Sequence, residues 1–292
     1  MMRQTVEWQC WVCISVTALL LTALVIWLLC SNSVFRYFVK MTALYFSIIA
    51  NAVVCCVLCT PVHFFGDPAK LIFDLFHIFS RWTGVRCEAR HVDYFYSTSG
   101  PYVVVANHQS SVDIVVLSYV WPPNCTIMMK KSLRWIPFFN YACYLANTIF
   151  VDRFNREKAM HSLKECVQRI VDKKLSLLIF PEGTRNHEGG LLPFKKGAFN
   201  VAVQAGIPII PLVISSYKPF YDKETHYFAN EGYVIAEVME PIATKGLTLN
   251  DVPGLAEEVR KRMEGTFDRI SAEAAVRFAQ RNDVQKDSNK ND

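Results

Sequence analysis

The chain has 292 residues, long enough for one large domain with an appendage. Its 31 Lys and Arg against 26 Asp and Glu leave a net charge of +5, which excludes the basic stripe of a nucleic-acid binder and suits anionic partners such as phosphorylated lipids or an anionic membrane. Hydrophobic residues make up 52% of the chain and crowd toward its start, so membrane attachment is the first question.

Residues 11–30, "WVCISVTALLLTALVIWLLC", carry no charge over a length that can span a hydrocarbon core. Residues 41–59, "MTALYFSIIANAVVCCVLC", are a second uncharged run. The short link 31–40 between them, with Arg36 and Lys40, predicts a helical hairpin that returns the chain to its starting side. The first run is longer than a signal-peptide core and "CSNSVF" is a poor cleavage site, so a retained anchor is expected. The second holds Asn51 and ends at Thr60-Pro61, a composition that also suits lying in the membrane without crossing it. Six of the ten cysteines fall in or beside these runs and none follows Cys166, which argues against a disulfide scaffold. Cys55, Cys56 and Cys59 lack a nearby fourth ligand, so no metal site is expected.

After about residue 66 the pattern changes to short β-branched runs alternating with helical periodicity. Val85–Arg90 alternates strictly and reads as a strand with one wet face. Further strands are expected over 102–106, 126–129, 148–151, 175–180, 209–214 and 233–238. Asn155 can cap a helix whose apolar face is Ala159, Leu163, Val167 and Ile170. A second helix is expected from Ala198 to Ala205, with Gly206 at the left-handed position that ends it. Val259, Met263, Phe267 and Ile270 mark an amphipathic helix near the C-terminus. Alternating strands and helices predict an α/β domain with a central mixed sheet flanked by helices, over residues 66–281. Residues 1–65 hold the membrane segments, and the polar residues 282–292 read as a disordered tail. In "KKSLRWIPFFNYACYLAN", Lys130, Lys131 and Arg134 flank Trp135, Phe138, Phe139 and Tyr141, a mixture suited either to a membrane interface or to a buried helix with a basic end.

Two strand ends carry chemistry. The run "PYVVVANHQSSVD" delivers His108 at the end of a strand and Asp113 five residues later. On one continuous helix the two would diverge, so they meet only if the chain turns between them. Ser110 and Ser111 are good N-caps before the apolar run "VDIVVLSYV", which would put Asp113 in the first helical turn and let His108 fold back onto it. An imidazole paired with a carboxylate suits a general base, although a loop histidine beside a helix-stabilising aspartate gives the same spacing. After the strand "LSLLIF", Pro181, Glu182, Gly183, Thr184 and Arg185 form a tight turn able to surround an oxyanion, or simply a turn with a surface arginine. Arg153 follows a further strand. Ligands of open α/β sheets bind at the carboxyl ends of strands, so one pocket can collect all of these residues.

Four ordered blocks then resemble the glycerolipid acyltransferase family, most closely its 1-acylglycerol-3-phosphate O-acyltransferase branch. Residues 107–113, "NHQSSVD", match the family's His-x4-Asp block, and Phe150-Val151-Asp152-Arg153 its second, with Asn147 where glycine is often found. "FPEGTRN" with the following "PFKKG" matches the third, and "IPIIP" at 207–211 the fourth. The resemblance implies transfer of a fatty acyl group from acyl-CoA, a co-substrate rather than a cofactor, to the sn-2 hydroxyl of lysophosphatidic acid. It implies His108 as general base, oriented by Asp113, with oxyanion donors from amides of the helix starting near Val112. Arg153 and Arg185 would grip the acceptor phosphate, Glu182 would orient an arginine or a hydroxyl, and Lys195 and Lys196 would meet coenzyme A phosphates or stay solvated. No cofactor is expected, and the membrane expected by resemblance is that of the endoplasmic reticulum. The alternatives are an acyltransferase for a different lysophospholipid or glycerol 3-phosphate, a non-catalytic membrane lipid-binding protein, and a hydrolase using Ser110 or Ser111, although neither serine sits in a Gly-x-Ser-x-Gly elbow.

Overall fold

The structure is a computed structural model that describes residues 32–152 and 166–288, together with residues 11, 14–20, 22 and 27. Helix α1 (Ser33–Phe65) opens at Asn32, whose side chain accepts the Phe35 N–H at 2.9 Å, a polar cap that lets the helix begin there. This corrects the expected link: Ser33 to Lys40 are the first turns of α1, not a loop between two spans. Residues 11, 14–20, 22 and 27 are helical, the other positions of the first apolar run lie outside the described residues, and a hairpin is not established.

One face of α1 is packed on the domain. Tyr37, Met41, Leu44, Asn51, Ala52, Cys55 and Cys59 recur at helical spacing and are buried. The Lys40 ammonium donates to the carbonyl oxygens of Thr83 (3.0 Å) and Ala229, which ties the helix to the body. Phe38, Phe46, Val57, Phe64 and Phe65 are exposed. α1 is therefore long and apolar enough to cross a membrane, yet one third of its most apolar stretch is buried in the protein. Helix α2 (Pro68–Ser80) packs beside it, started by Asp67, which accepts the Lys70 N–H at 3.0 Å.

Among the described residues, seven strands form one sheet in the order β1-β9-β6-β2-β5-β3-β4. These are β1 (Val85–Arg90), β2 (Val103–Ala106), β3 (Cys125–Lys130), β4 (Ile149–Val151), β5 (Ser176–Ile179), β6 (Ile209–Ile214) and β9 (Gly232–Val238). All neighbours pair in parallel except β6 with β9, so the sheet is mixed, as expected. A two-stranded hairpin, β7 (Tyr221–Asp222) with β8 (Tyr227–Phe228), was not expected, because two residues per strand leave no alternation to read.

The central strands are apolar on both faces because helices cover both. Val104 and Ala106 of β2 face one core with α1, α2 and helix α3 (Asp113–Val120). Val103 and Val105 face the other, with helix α5 (Gly197–Ala205) and helix α6 (Val252–Ser288). Helix α4 (Phe139–Leu145) packs on α1, while Trp135 and Phe138 just before it stay exposed. α5 ends at Gly206 with φ +63°, the left-handed position predicted for it. Val259, Met263, Phe267 and Ile270 are all buried. α6 continues to Ser288, which corrects the tail expected to start at 282. Residues 166–173 are helical and Ile170 is buried, whereas Asn155, Ala159 and Leu163 lie outside the described residues.

Candidate active site

The parallel strands β2, β5, β3 and β4 end on one edge, and the singled-out residues follow those ends. Asn107 leaves β2 with its side chain in the sheet: it donates to Ile214 O (2.9 Å) and accepts the Ile214 N–H (2.8 Å). Gln109 donates to the carbonyls of Ile214 (3.1 Å) and Ser215 (3.0 Å). These two amides anchor the loop on either side of His108, so the imidazole is delivered by a fixed backbone.

His108 Nδ1 lies 2.6 Å from Asp113 Oδ2. Asp113 is the first residue of α3, and its carboxylate turns back to accept the N–H groups of Gln109 (2.9 Å) and Ser110 (3.1 Å). An ionised carboxylate only accepts, so Nδ1 carries the proton and Nε2 presents its lone pair. The ring stacks on Phe180, centroids 4.0 Å apart, and keeps only 16% side-chain exposure.

Ser110 and Ser111 do not cap the helix as expected. Val112 stands at the cap position without a side-chain bond, and Ser110 Oγ accepts the Val112 N–H at 2.9 Å. The Val112 amide is thereby satisfied inside the turn. Ser111 Oγ is 2.7 Å from the Tyr45 hydroxyl on α1. Neither serine is bonded to His108, whose Nδ1 faces Asp113, so the turn lacks the contact a serine hydrolase needs.

Glu182 is placed differently from either expected role. It is 3% exposed; Oε1 accepts the His108 N–H at 2.7 Å and Oε2 the Leu192 N–H at 3.0 Å. Burial pushes its carboxyl up, and the two N–H bonds pull it partly back. Glu182 is thus a backbone clamp between the two motif loops. Gly183, at φ +70°, makes the turn, and the Lys195 side chain lies so close over it that a β-carbon there would come 2.6 Å from Nζ. Thr184 and Arg185 are exposed on the same rim, and Asn186 N–H donates back to His108 O at 2.8 Å. Lys195 is exposed beside this turn, while Lys196 is exposed at the start of α5. Arg153 lies outside the described residues; β4, which precedes it, stands three strands from β2. Asn147 has φ +55°, so the position does need a left-handed residue, and asparagine supplies it.

Sequence reasoning missed Phe180 and Asn186 as contacts of His108. Phe180 and Asn186 stood inside a motif already read, but their contacts to His108 are long-range and leave no local pattern. A small apolar cavity lies between α1, α2, α4 and β3, lined among others by Ala52, Phe73, Ile114, Ile127 and Phe139.

The chain matches the Acyltransferase family over residues 87–215. It is 44% identical over 264 residues to the Caenorhabditis elegans protein acl-2, named for 1-acyl-sn-glycerol-3-phosphate acyltransferase, covering 89% of this chain and 92% of that one. It is 44% identical over 190 residues to human 1-acyl-sn-glycerol-3-phosphate acyltransferase alpha, covering 65% of this chain and 66% of the relative. The fold matches the crystal structure of the 1-acyl-sn-glycerophosphate (LPA) acyltransferase PlsC of Thermotoga maritima, with a TM-score of 0.61, 24% identity, and coverage of 82% of this chain and 95% of that one.

Proposed function

The chain belongs to the acyltransferase family, and from that premise we propose that it transfers a fatty acyl group from acyl-CoA to the sn-2 hydroxyl of lysophosphatidic acid, forming phosphatidic acid. The observation that carries the reading is the 2.6 Å contact between His108 Nδ1 and Asp113 Oδ2. It leaves Nε2 as the base for an alcohol, which is a poor nucleophile until its proton is taken. The acceptor oxygen attacks the thioester carbon as its proton passes to Nε2. Collapse of the tetrahedral intermediate breaks the C–S bond, and the imidazolium returns the proton to the leaving thiolate. Asp113 stabilises the imidazolium between those two transfers. No covalent acyl-enzyme and no cofactor is needed.

Arg185, exposed on the rim beside His108, supports a phosphate-bearing acceptor, with Arg153 as its partner from the next motif. Lys195, lying over the Gly183 turn, is the better of the two lysines for a coenzyme A phosphate. Both the acceptor and the product live in a bilayer. The exposed apolar face of α1, with Trp135 and Phe138, would hold the site at its surface, in the endoplasmic reticulum by resemblance.

The test is acyl transfer from oleoyl-CoA to lysophosphatidic acid in membranes carrying the protein, beside a His108→Ala form at equal level. Phosphatidic acid from the first, with at least a 10²-fold or so loss in the second, supports the reading. Background product from both would overturn the acceptor assignment, and a panel of lysolipids would then identify the acceptor.

A further inference from the structure

Tyr217 carries a phenol with nothing to bond. The residue is 3% exposed and its hydroxyl has no hydrogen-bond partner, an expensive state for a buried donor. It stands three residues beyond the end of β6, on the segment that Asn107 and Gln109 tie to the His108 loop. Tyr217 walls one small polar cleft together with Gln109 and Ser110, the two residues whose amides bind Asp113. The Asp113 carboxylate acts on the phenol both as a charge and as a hydrogen-bond acceptor, although the two do not form a bond of full geometry. Burial first, and that carboxylate second, hold the phenol well above its ordinary range, so it remains a neutral donor.

Asp113 has room for it. Oδ2 accepts from His108 and Gln109, whereas Oδ1 has the Ser110 N–H as its bond among the described residues. A carboxylate offers about two acceptor sites per oxygen. A donor without an acceptor therefore lies beside an acceptor with a site to spare. Among the described residues, the other charged or titratable groups around the pair are Cys87 of β1 and Tyr221 of β7, which face the phenol, Glu182 from the end of β5, His187 and Arg185 on the following loop, and Lys223 after β7. Glu182 is engaged by two backbone amides, and Lys223 contacts His187 Nε2 at 3.1 Å. Lys218, on the cleft wall, is paired with Asp222 at 2.9 Å.

We propose that Tyr217 is a positioning residue for the acyl transfer: its hydroxyl donates to Asp113, directly or through one water, and so sets how strongly Asp113 holds the His108 imidazolium. This rests on the reading of His108 as the base. A donor to the carboxylate favours its charged form and lowers its basicity, which weakens its grip on the imidazolium. Tyr217 thereby keeps His108 a weaker base, ready to pass its proton to the leaving thiolate.

The test is Tyr217→Phe, which keeps the ring and removes only the hydroxyl, measured against wild type as a kcat/KM pH profile for transfer to lysophosphatidic acid. The acid limb should move to higher pH by roughly half a unit, so that activity well below the limb drops about threefold more than on the plateau. The aromatic ring stays in place, so the variant should still fold and melt cooperatively. A uniform loss with the limb in place, or a limb moved to lower pH, would overturn the proposal. So would His187→Gln moving the limb equally far, since the effect would then belong to the cleft in general. Titration of the His108 ring protons by NMR, assigned by their loss in His108→Ala, needs no substrate. It should show the same displacement, and superimposed curves would refute the role of Tyr217 even if the acceptor proved to be another lipid.

Discussion

Glu182 holds His108 by its backbone: Oε1 accepts the His108 N–H at 2.7 Å while Oε2 accepts the Leu192 N–H at 3.0 Å. The clamp joins the ends of β2 and β5 to the strand-less segment before α5, so the His108 loop and the Gly183 turn are tied together. A glutamine there can accept through only one oxygen and leaves one of the two N–H groups unmatched. Glu182→Gln should lose about 1–3 kcal/mol in denaturant unfolding.

The same residue predicts a pH effect. Burial raises the folded carboxyl above its unfolded value, so the native state binds this proton more readily than the unfolded state does. Its contribution is complete below the ordinary glutamate value and is lost as pH rises through the raised folded value. The stability difference between wild type and Glu182→Gln should therefore shrink with rising pH across that window, and a flat difference would contradict the assignment.

Asp113→Asn should leave the loop folded but weaken the base. An amide presents one acceptor oxygen where the carboxylate serves three N–H groups. Its NH2 end would also favour the tautomer with the proton on Nε2. A fall of roughly 10²–10⁴ in kcat is expected, with KM for the acceptor little changed, in steady-state acyl transfer.

Gly183→Ala meets two obstacles, a φ of +70° and the Lys195 side chain 2.6 Å from the new β-carbon. The lysine end can swing aside, but the backbone cannot, and about 1–2 kcal/mol of left-handed strain should remain. Thermal melting reads that loss, and a lower apparent affinity for acyl-CoA should accompany it if Lys195 is displaced.

Asn147 at φ +55° also accepts a bond from Lys173 at 2.6 Å. Asn147→Gly keeps the conformation and loses an exposed contact, so its stability should stay within about 0.5 kcal/mol. Asn147→Val should cost about 1–2 kcal/mol, because a β-branched residue resists that backbone. Equal melting of the two variants would refute the conformational explanation.

Phe46 and Phe64 are each 72% exposed on the outer face of α1. Replacing both with glutamate removes two apolar anchors of about 1.5–3 kcal/mol each from a membrane contact. Binding to phospholipid vesicles should weaken by more than tenfold with no change in melting temperature. Unchanged binding would assign attachment to the residues before α1.

Much of the sheet was legible because its strands follow a local rule: short β-branched runs ended by glycine, proline or polar turns. β1, β6 and the register of the apolar residues on α6 needed nothing beyond periodicity. The pairing of His108 with Asp113 was equally local, since five residues with a turn between them leave few geometries. The start of α3 differs from the expectation because Ser110 Oγ is used on the Val112 N–H within the turn, leaving Val112 at the cap, while the Asp113 carboxylate turns back onto the Gln109 and Ser110 amides. α1 was misjudged at its N-terminal end because Arg36 and Lys40 look like loop charges, whereas Lys40 is buried against the carbonyls of Thr83 and Ala229.

By itself the sequence determined the chemistry on offer: an imidazole with a carboxylate five residues on, a glycine turn with an arginine, and an apolar start suited to lipid. Those are properties of residue type and short spacing, which the chain carries wherever it folds. Only the tertiary structure decided what each group faces. It turned Glu182 from a candidate ligand into a backbone clamp, gave the Val112 amide to Ser110, and set the Tyr217 phenol beside Asp113 from a position 104 residues away. Contacts of that length depend on strand order, and strand order is fixed by which buried faces must meet rather than by any run of neighbouring residues.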